Sequence, residues 1–177
     1  VSRPIFQTDG FDEFDETTTH GAYIGGLATA HEDAALASSY KLAADLLVER
    51  ALADDRVHEV VLPALFLYRH ALELRLKVAV RPERLNHDLV ALAQDLDGVL
   101  RAKQGVGLPA ALVTRVAEMA QLDPRADGFR FTRASRKGST GERHFEDEVW
   151  VDLAHVREEM AWIDTALQAA AGALSRA

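Results

Sequence analysis

Four residues that can do chemistry lie close together on one stretch of chain: Arg69, His70, Glu73 and Lys77. Their types suit work on phosphate esters. A guanidinium grips a phosphate through a planar fork of donors, and an imidazole titrates near neutral pH. On a helix turning roughly 100° per residue, with Arg69 at zero, Glu73 falls near 40°, Lys77 near 80° and His70 near 100°. The four therefore share one narrow polar arc. Arg69 to Glu73 and Glu73 to Lys77 are also i,i+4 pairs, so an intrahelical ion-pair ladder is a second reading of the Glu and the Lys. For Arg69 and His70 together, the reading is contact with RNA or chemistry on it. His87 reads first as a structural residue at the start of a helix.

A basic segment follows later. Arg125, Arg130, Arg133, Arg136, Lys137 and Arg143 face only Asp127 and Glu142 between Arg125 and His144, in a chain of net charge −8. A globally acidic protein does not coat nucleic acid nonspecifically, so contact with RNA or DNA requires a local basic patch of this kind. Arg130, Arg133, Arg136 and Lys137 would hold phosphates, with Phe129 or Phe131 stacking on a base. The plainer alternative is a loop whose arginines pair with Glu146, Asp147 and Glu148 nearby.

The elements that must position these groups are helices. Apolar residues at steps of three and four predict a first helix from about Glu32 to Ala53, with a stripe of Leu36, Tyr40, Ala43, Leu47 and Ala51. A second runs over Val57–Val80 and is apolar on two sides, as expected of a helix packed among others. Asn86 is placed to N-cap a third, which carries Leu89, Leu92, Leu96 and Leu100 on one face. Gly105 and Gly107 break the chain, Pro109 opens a fourth helix that ends before Pro124, and a last helix runs from about Asp152 to Leu174. Phe129 and Phe131, and later Val149 and Val151, alternate with polar residues around Gly138 and Gly141, which predicts a small β-hairpin over about 128–151. Residues 1–31, with Asp9, Asp12, Glu13, Asp15 and Glu16, read as an acidic, partly irregular arm. The expected fold is all-α: an up-and-down bundle of about five helices with a hairpin insert before the last.

Composition excludes several classes. With 177 residues and 48% hydrophobic content, the chain suits one domain with a proper core. The absence of cysteine removes disulfides and thiolate metal sites and makes a cytoplasmic location the expectation. No apolar run approaches the ~18 residues of a membrane span, and no leader peptide is expected. His155 and Glu158 share a helix face, but a di-metal bundle needs paired Glu-x-x-His units, so no metal is expected. The acidic arm lacks calcium-loop spacing, and neither a phosphate-cradling glycine motif nor a nucleophile elbow is present. No cofactor is expected.

Leu67-Tyr68-Arg69-His70-Ala71-Leu72-Glu73-Leu74-Arg75-Leu76-Lys77 resembles the second helix of HEPN domains. His87-Asp88-Leu89-Val90-Ala91-Leu92 resembles the start of the next helix in that family. Gly128-Phe129-Arg130-Phe131-Thr132 is similar to the segment before the family's last helix, with Phe131 and Thr132 in place of Tyr and Pro. The resemblance spans roughly residues 32–175. It implies a helical bundle that forms homodimers and works in RNA processing, toxin–antitoxin pairs, phage defence or nucleotide binding. The family's ribonucleases use an Arg and, four to six residues on, a His to act on the RNA 2′-OH and phosphate without a metal. Arg81 and His87 are the formal match, but they lie between helices two and three rather than late in the fold, with Pro82 where a small polar residue is common.

Two functional readings stand. In the first, the chain binds or acts on RNA or a nucleotide, as a metal-independent endoribonuclease with His70 or His87 as acid or base and Arg69 or Arg81 against the phosphate charge. Glu73, Lys77, Arg130, Arg133 and Arg136 then line the ligand site. In the second, it is a non-catalytic interaction module, an antitoxin-like or adaptor subunit engaging a protein partner encoded nearby.

Overall fold

Long runs of helix-compatible residues whose first three links are three, eight and five residues fold back on one another, because short links leave consecutive helices little choice but to pack as neighbours. In the computed structural model, which describes residues 32–81, 86–131, 144–145 and 147–176, the elements are α1 (Asp33–Ala53), α2 (Val57–Val80), α3 (Leu89–Gln104), α4 (Ala110–Leu122) and α5 (Leu153–Ser175). The N-terminal arm and the insert residues Arg133, Arg136, Lys137 and Arg143 lie outside the described residues. No described helix is long and apolar enough to cross a membrane.

Helix α2 is the centre of the bundle. It packs along α1 and against α3 and α5, while α4 leans on α3. Ala64, Leu65, Tyr68, Leu72 and Leu76 of α2 are buried against Ala44 and Val48 of α1, the four leucines of α3, Leu112 and Val116 of α4, and Leu153, Met160, Ile163 and Leu167 of α5. Leu89, Leu92, Leu96 and Leu100 all lie in the core, as their period requires. Tyr68 enters this core paired: its hydroxyl donates to Asp45 Oδ1 at 2.8 Å, and burial with that partner raises the phenol above its ordinary range.

Three details differ from the expectation. Asp88, not Asn86, caps α3: its carboxylate accepts from Val90 N and Ala91 N, both at 3.0 Å, while Asn86 Oδ1 accepts from Asp88 N. In α1 the buried line is Ala37, Ala44, Val48 and Ala51, with Leu42 and Leu46 left on the surface. This helix is apolar on several sides, so periodicity alone does not choose its inner face.

The β-hairpin is not formed by the described residues. Asp123 Oδ1 accepts from Asp127 N and Gly128 N, and Asp127 O accepts from Arg130 N and Phe131 N. These bonds wind the chain into tight turns, which turn Phe129 into the core and leave Phe131 outside. Residues 148–152 form no strand among the described residues.

Gly98 sits within α3 with open space where a Cβ would stand. Gly98→Ala is expected to raise stability by about 0.4–1 kcal/mol in urea unfolding, since only chain entropy changes. Leu96→Ala, two residues before it and fully buried, is expected to lower stability by about 2–5 kcal/mol.

Candidate functional site

The polar arc of α2 is covered, not open. Arg69 and Glu73 are each only 2% exposed. Both i,i+4 pairs form: Arg69 Nη1 donates to Glu73 Oε2 at 3.0 Å and Lys77 Nζ to Glu73 Oε1 at 2.6 Å. The rest of the Arg69 fork reaches other elements. Its Nε donates to the Asp123 carbonyl at 3.0 Å, just past α4, and its Nη2 donates to the His87 carbonyl at 2.9 Å, just before α3. The Asp123 carboxylate adds charge balance 3.4 Å from Nε. Every nitrogen of the guanidinium is thus engaged with the protein, which suits a staple across three helices better than a phosphate clamp.

Glu73 holds the other half of the arrangement. Its Oε1 lies 2.8 Å from His87 Nδ1 while also accepting from Lys77. Burial works to raise this carboxyl, but the hydrogen bonds and positive charge of Lys77 and His87 outweigh it, so Glu73 stays below the usual glutamate range and ionised. A carboxylate held this way fixes the orientation of the imidazole and favours its Nδ1–H form. The His87 side chain is 70% exposed, so its other nitrogen is free to meet solvent or a ligand. The loop before α3 is therefore pinned twice at one residue, by Arg69 on the His87 carbonyl and by Glu73 on its ring.

His70 lies one step along α2 on the exposed side of the arc. Its ring meets Tyr40 edge-on, with centroids 4.4 Å apart, and lies nearly parallel to Phe66 at 6.0 Å. Burial lowers its affinity for a proton; Glu73 pulls the other way, while Lys77, Arg69 and His87 lower it further. Arg130 completes the edge, its guanidinium 5.7 Å from the Phe66 ring centre and 5.2 Å from that of Phe131. Arg81 caps α2 in a left-handed conformation one turn beyond Lys77 and is exposed.

The structure thus brings Glu73, Lys77 and His87 into one network and sets His70 beside Arg130 through Phe66. Arg133 and Arg136 lie outside the described residues. No group of three or more His, Asp or Glu among the described residues is arranged to hold a metal.

Two contributors escape sequence reasoning. Asp123 carries no periodic signal, yet its carbonyl and carboxylate complete the Arg69 staple. Arg75 forms a second staple: its nitrogens donate to Asp164 Oδ1 at 2.7 Å on α5, and to Ala34 O at 3.2 Å and Ser38 Oγ at 2.8 Å on α1. The available signal was angular. Arg75 falls at roughly 240°, between the two apolar sides of α2, where an unpaired charge would not be tolerated.

Removing the Arg69 fork leaves Glu73 and Asp123 buried with fewer partners. Arg69→Met is expected to cost about 3–5 kcal/mol in urea unfolding, and Arg69→Lys to recover less than half, because an ammonium cannot reach three separate elements. The pH dependence follows from direction. His70 binds its proton less readily folded than unfolded, so stability is full above about pH 7 and falls as the pH drops below its ordinary value of 6.5. Glu73, held low, adds a loss only at more acid pH, below its ordinary 4.5. His70→Gln is expected to flatten the first slope and leave the second, as measured by thermal melts between pH 8 and about pH 3.

Compared with protein-family models, with curated protein sequences and with solved structures, the chain matches none.

Proposed function

We propose that this chain is a HEPN-like domain that binds RNA or a nucleotide along the exposed edge of α2 and cleaves RNA without a metal, with His87 as general base. The observation that carries the reading is the Glu73–His87 pair: a buried, ionised carboxylate 2.8 Å from Nδ1 of an imidazole whose side chain is 70% exposed. An imidazole oriented in this way offers Nε2 as a proton acceptor. Nε2 takes the proton of a ribose 2′-OH, the 2′-oxygen attacks the adjacent phosphorus, and the bond to the 5′-oxygen breaks. A 2′,3′-cyclic phosphate forms, and the leaving oxygen takes a proton from water. Arg81 and Lys77 supply positive charge near the phosphate, and Arg130 with Phe131 suits the flanking nucleotide, the cation for its phosphate and the ring for its base. Arg69 acts through position: it fixes the loop that carries His87. The resemblance adds a bacterial stress, toxin–antitoxin or defence setting and a homodimeric state.

The alternative, a non-catalytic interaction module, draws support from a different feature, the solvent-facing Trp150 beside an apolar cavity.

Labelled RNA incubated in EDTA tests the proposal. Wild type is expected to leave cyclic-phosphate ends, and His87→Ala to slow cleavage by about 10²-fold or more while keeping the fold. Arg130→Glu is expected to weaken RNA binding and reduce its salt dependence. Clean wild type that neither binds nor cuts RNA at low salt contradicts the proposal, and binding without cleavage returns the chain to the module reading.

A further inference from the structure

Val149, Trp150 and Val151, just before α5, border two recesses. The first lies between α4 and α5. Its wall carries Glu118, Asp152 and Glu159, and its guanidinium, Arg115, is already bonded to Glu118 and Glu159. The second is an open cavity of about 590 Å³, a size that suits a small molecule. Its apolar lining includes Val61 and Leu65 of α2 and Leu122 at the end of α4. Buried Phe129 and half-buried Phe145 add an aromatic wall, with ring centroids 6.2 Å apart and planes 18° from parallel. Asp147, Glu148 and Trp150 complete the lining and are all exposed, the indole to 92%. No basic side chain lines this second cavity among the described residues.

We infer that this second cavity binds an organic cation with an apolar body, of the arylalkyl ammonium class. The body lies against Leu65, Phe129 and Phe145, and the charge sits between the Asp147 and Glu148 carboxylates and the face of Trp150. The lining meets each kind of occupant differently. An anion faces the carboxylates of Asp147 and Glu148, with the acidic wall of Glu118, Asp152 and Glu159 beside them. A bare metal ion needs converging oxygens, and no such group stands among the described residues. A neutral apolar molecule fills the cavity and leaves both carboxylates without a role. An organic cation is stabilised three ways: its body leaves water, the carboxylates attract its charge, and an indole gives the strongest cation–π contact. It also covers a tryptophan that otherwise stands in solvent. Only the cation uses every feature of the cavity. Val61 and Leu65 lie roughly 140–180° around α2 from His70. The site is therefore separate from the proposed RNA edge, and it depends neither on RNA binding nor on cleavage.

Titration of the ¹⁵N-labelled intact chain with phenylbutylamine, phenylbutanol and phenylbutyrate tests this, because the three share one apolar body and differ in charge. The amine is expected to shift the amide signals of Phe129, Phe145 and Trp150 and to bind with a Kd of about 1 mM or tighter. It is expected to bind about tenfold more tightly than the alcohol, and the carboxylate not to bind. Asp147→Asn combined with Glu148→Gln is expected to abolish that preference while leaving the affinity for the alcohol unchanged. Trp150→Ala is expected to weaken the amine about threefold or more. All three side chains are exposed, so the variants are expected to melt at the wild-type temperature. An alcohol that binds as tightly as the amine, or a preference that survives the double substitution, overturns the inference. So does a chain whose signals none of the three ligands moves at about 10 mM. The same signals moving with protein concentration alone would assign the surface to a second copy. A response to a basic amphipathic peptide and not to the amine would assign it to a protein partner. Either result also overturns the inference.

Discussion

A guanidinium taken out of water must satisfy donors that point in several directions at once, and it cannot shed its charge to escape the obligation. Arg69 meets that demand with three elements: Glu73 on its own helix, the His87 carbonyl before α3 and the Asp123 carbonyl after α4. The rest of the site follows from this. With the fork anchored, Glu73 is held in one rotamer and stays ionised, Lys77 closes its remaining oxygen, and His87 is left with one nitrogen bound and one outward. Arg75 repeats the device on another side of α2, tying α1 and α5. A central helix thus carries two buried arginines, each of which sets the position of its neighbours as much as the apolar packing does.

Such staples trade stability for geometry. A buried ion pair returns little net energy over a well-packed apolar pair, because desolvation absorbs most of the attraction. What it fixes is register. Leucine faces tolerate sliding, but a guanidinium that must find three particular oxygens does not. The loop bearing His87 is thus placed by a guanidinium that is itself buried, with each of its nitrogens engaged inside the protein. On the proposal that the chain binds RNA, a phosphate would be met instead by Arg81, Lys77 or Arg130, of which Arg130 lies against the Phe66 and Phe131 rings.

Much of the fold was legible because periodicity reports burial. The bounds of α2 and the four core leucines of α3 follow directly from their spacing. Where the signal failed, a local competitor or a distant partner was responsible. Asn86 and Asp88 are both capping types, and only the backbone at Asp88 lets a carboxylate reach two free N–H groups. The alternation of Phe129 and Phe131 is too short to specify a strand, and the Asp123 carboxylate wins the segment by folding it into turns. In α1, alanine and leucine on several sides left the inner face undetermined. The arc of Arg69, Glu73 and Lys77 could be drawn from angles alone. That α3 and α4 bring carbonyls across it depends on tertiary packing, which no helical period encodes.

The orientation of one imidazole is the most direct test of this arrangement. Long-range nitrogen–proton correlation spectra of the ¹⁵N-histidine-labelled chain at alkaline pH report which ring nitrogen of His87 carries the proton. With Glu73 ionised against Nδ1, the account requires the Nδ1–H form, and a change of that signal in Glu73→Gln. A His87 ring in the Nε2–H form, unmoved by the substitution, would mean that Glu73 does not orient it, and the central claim would fail.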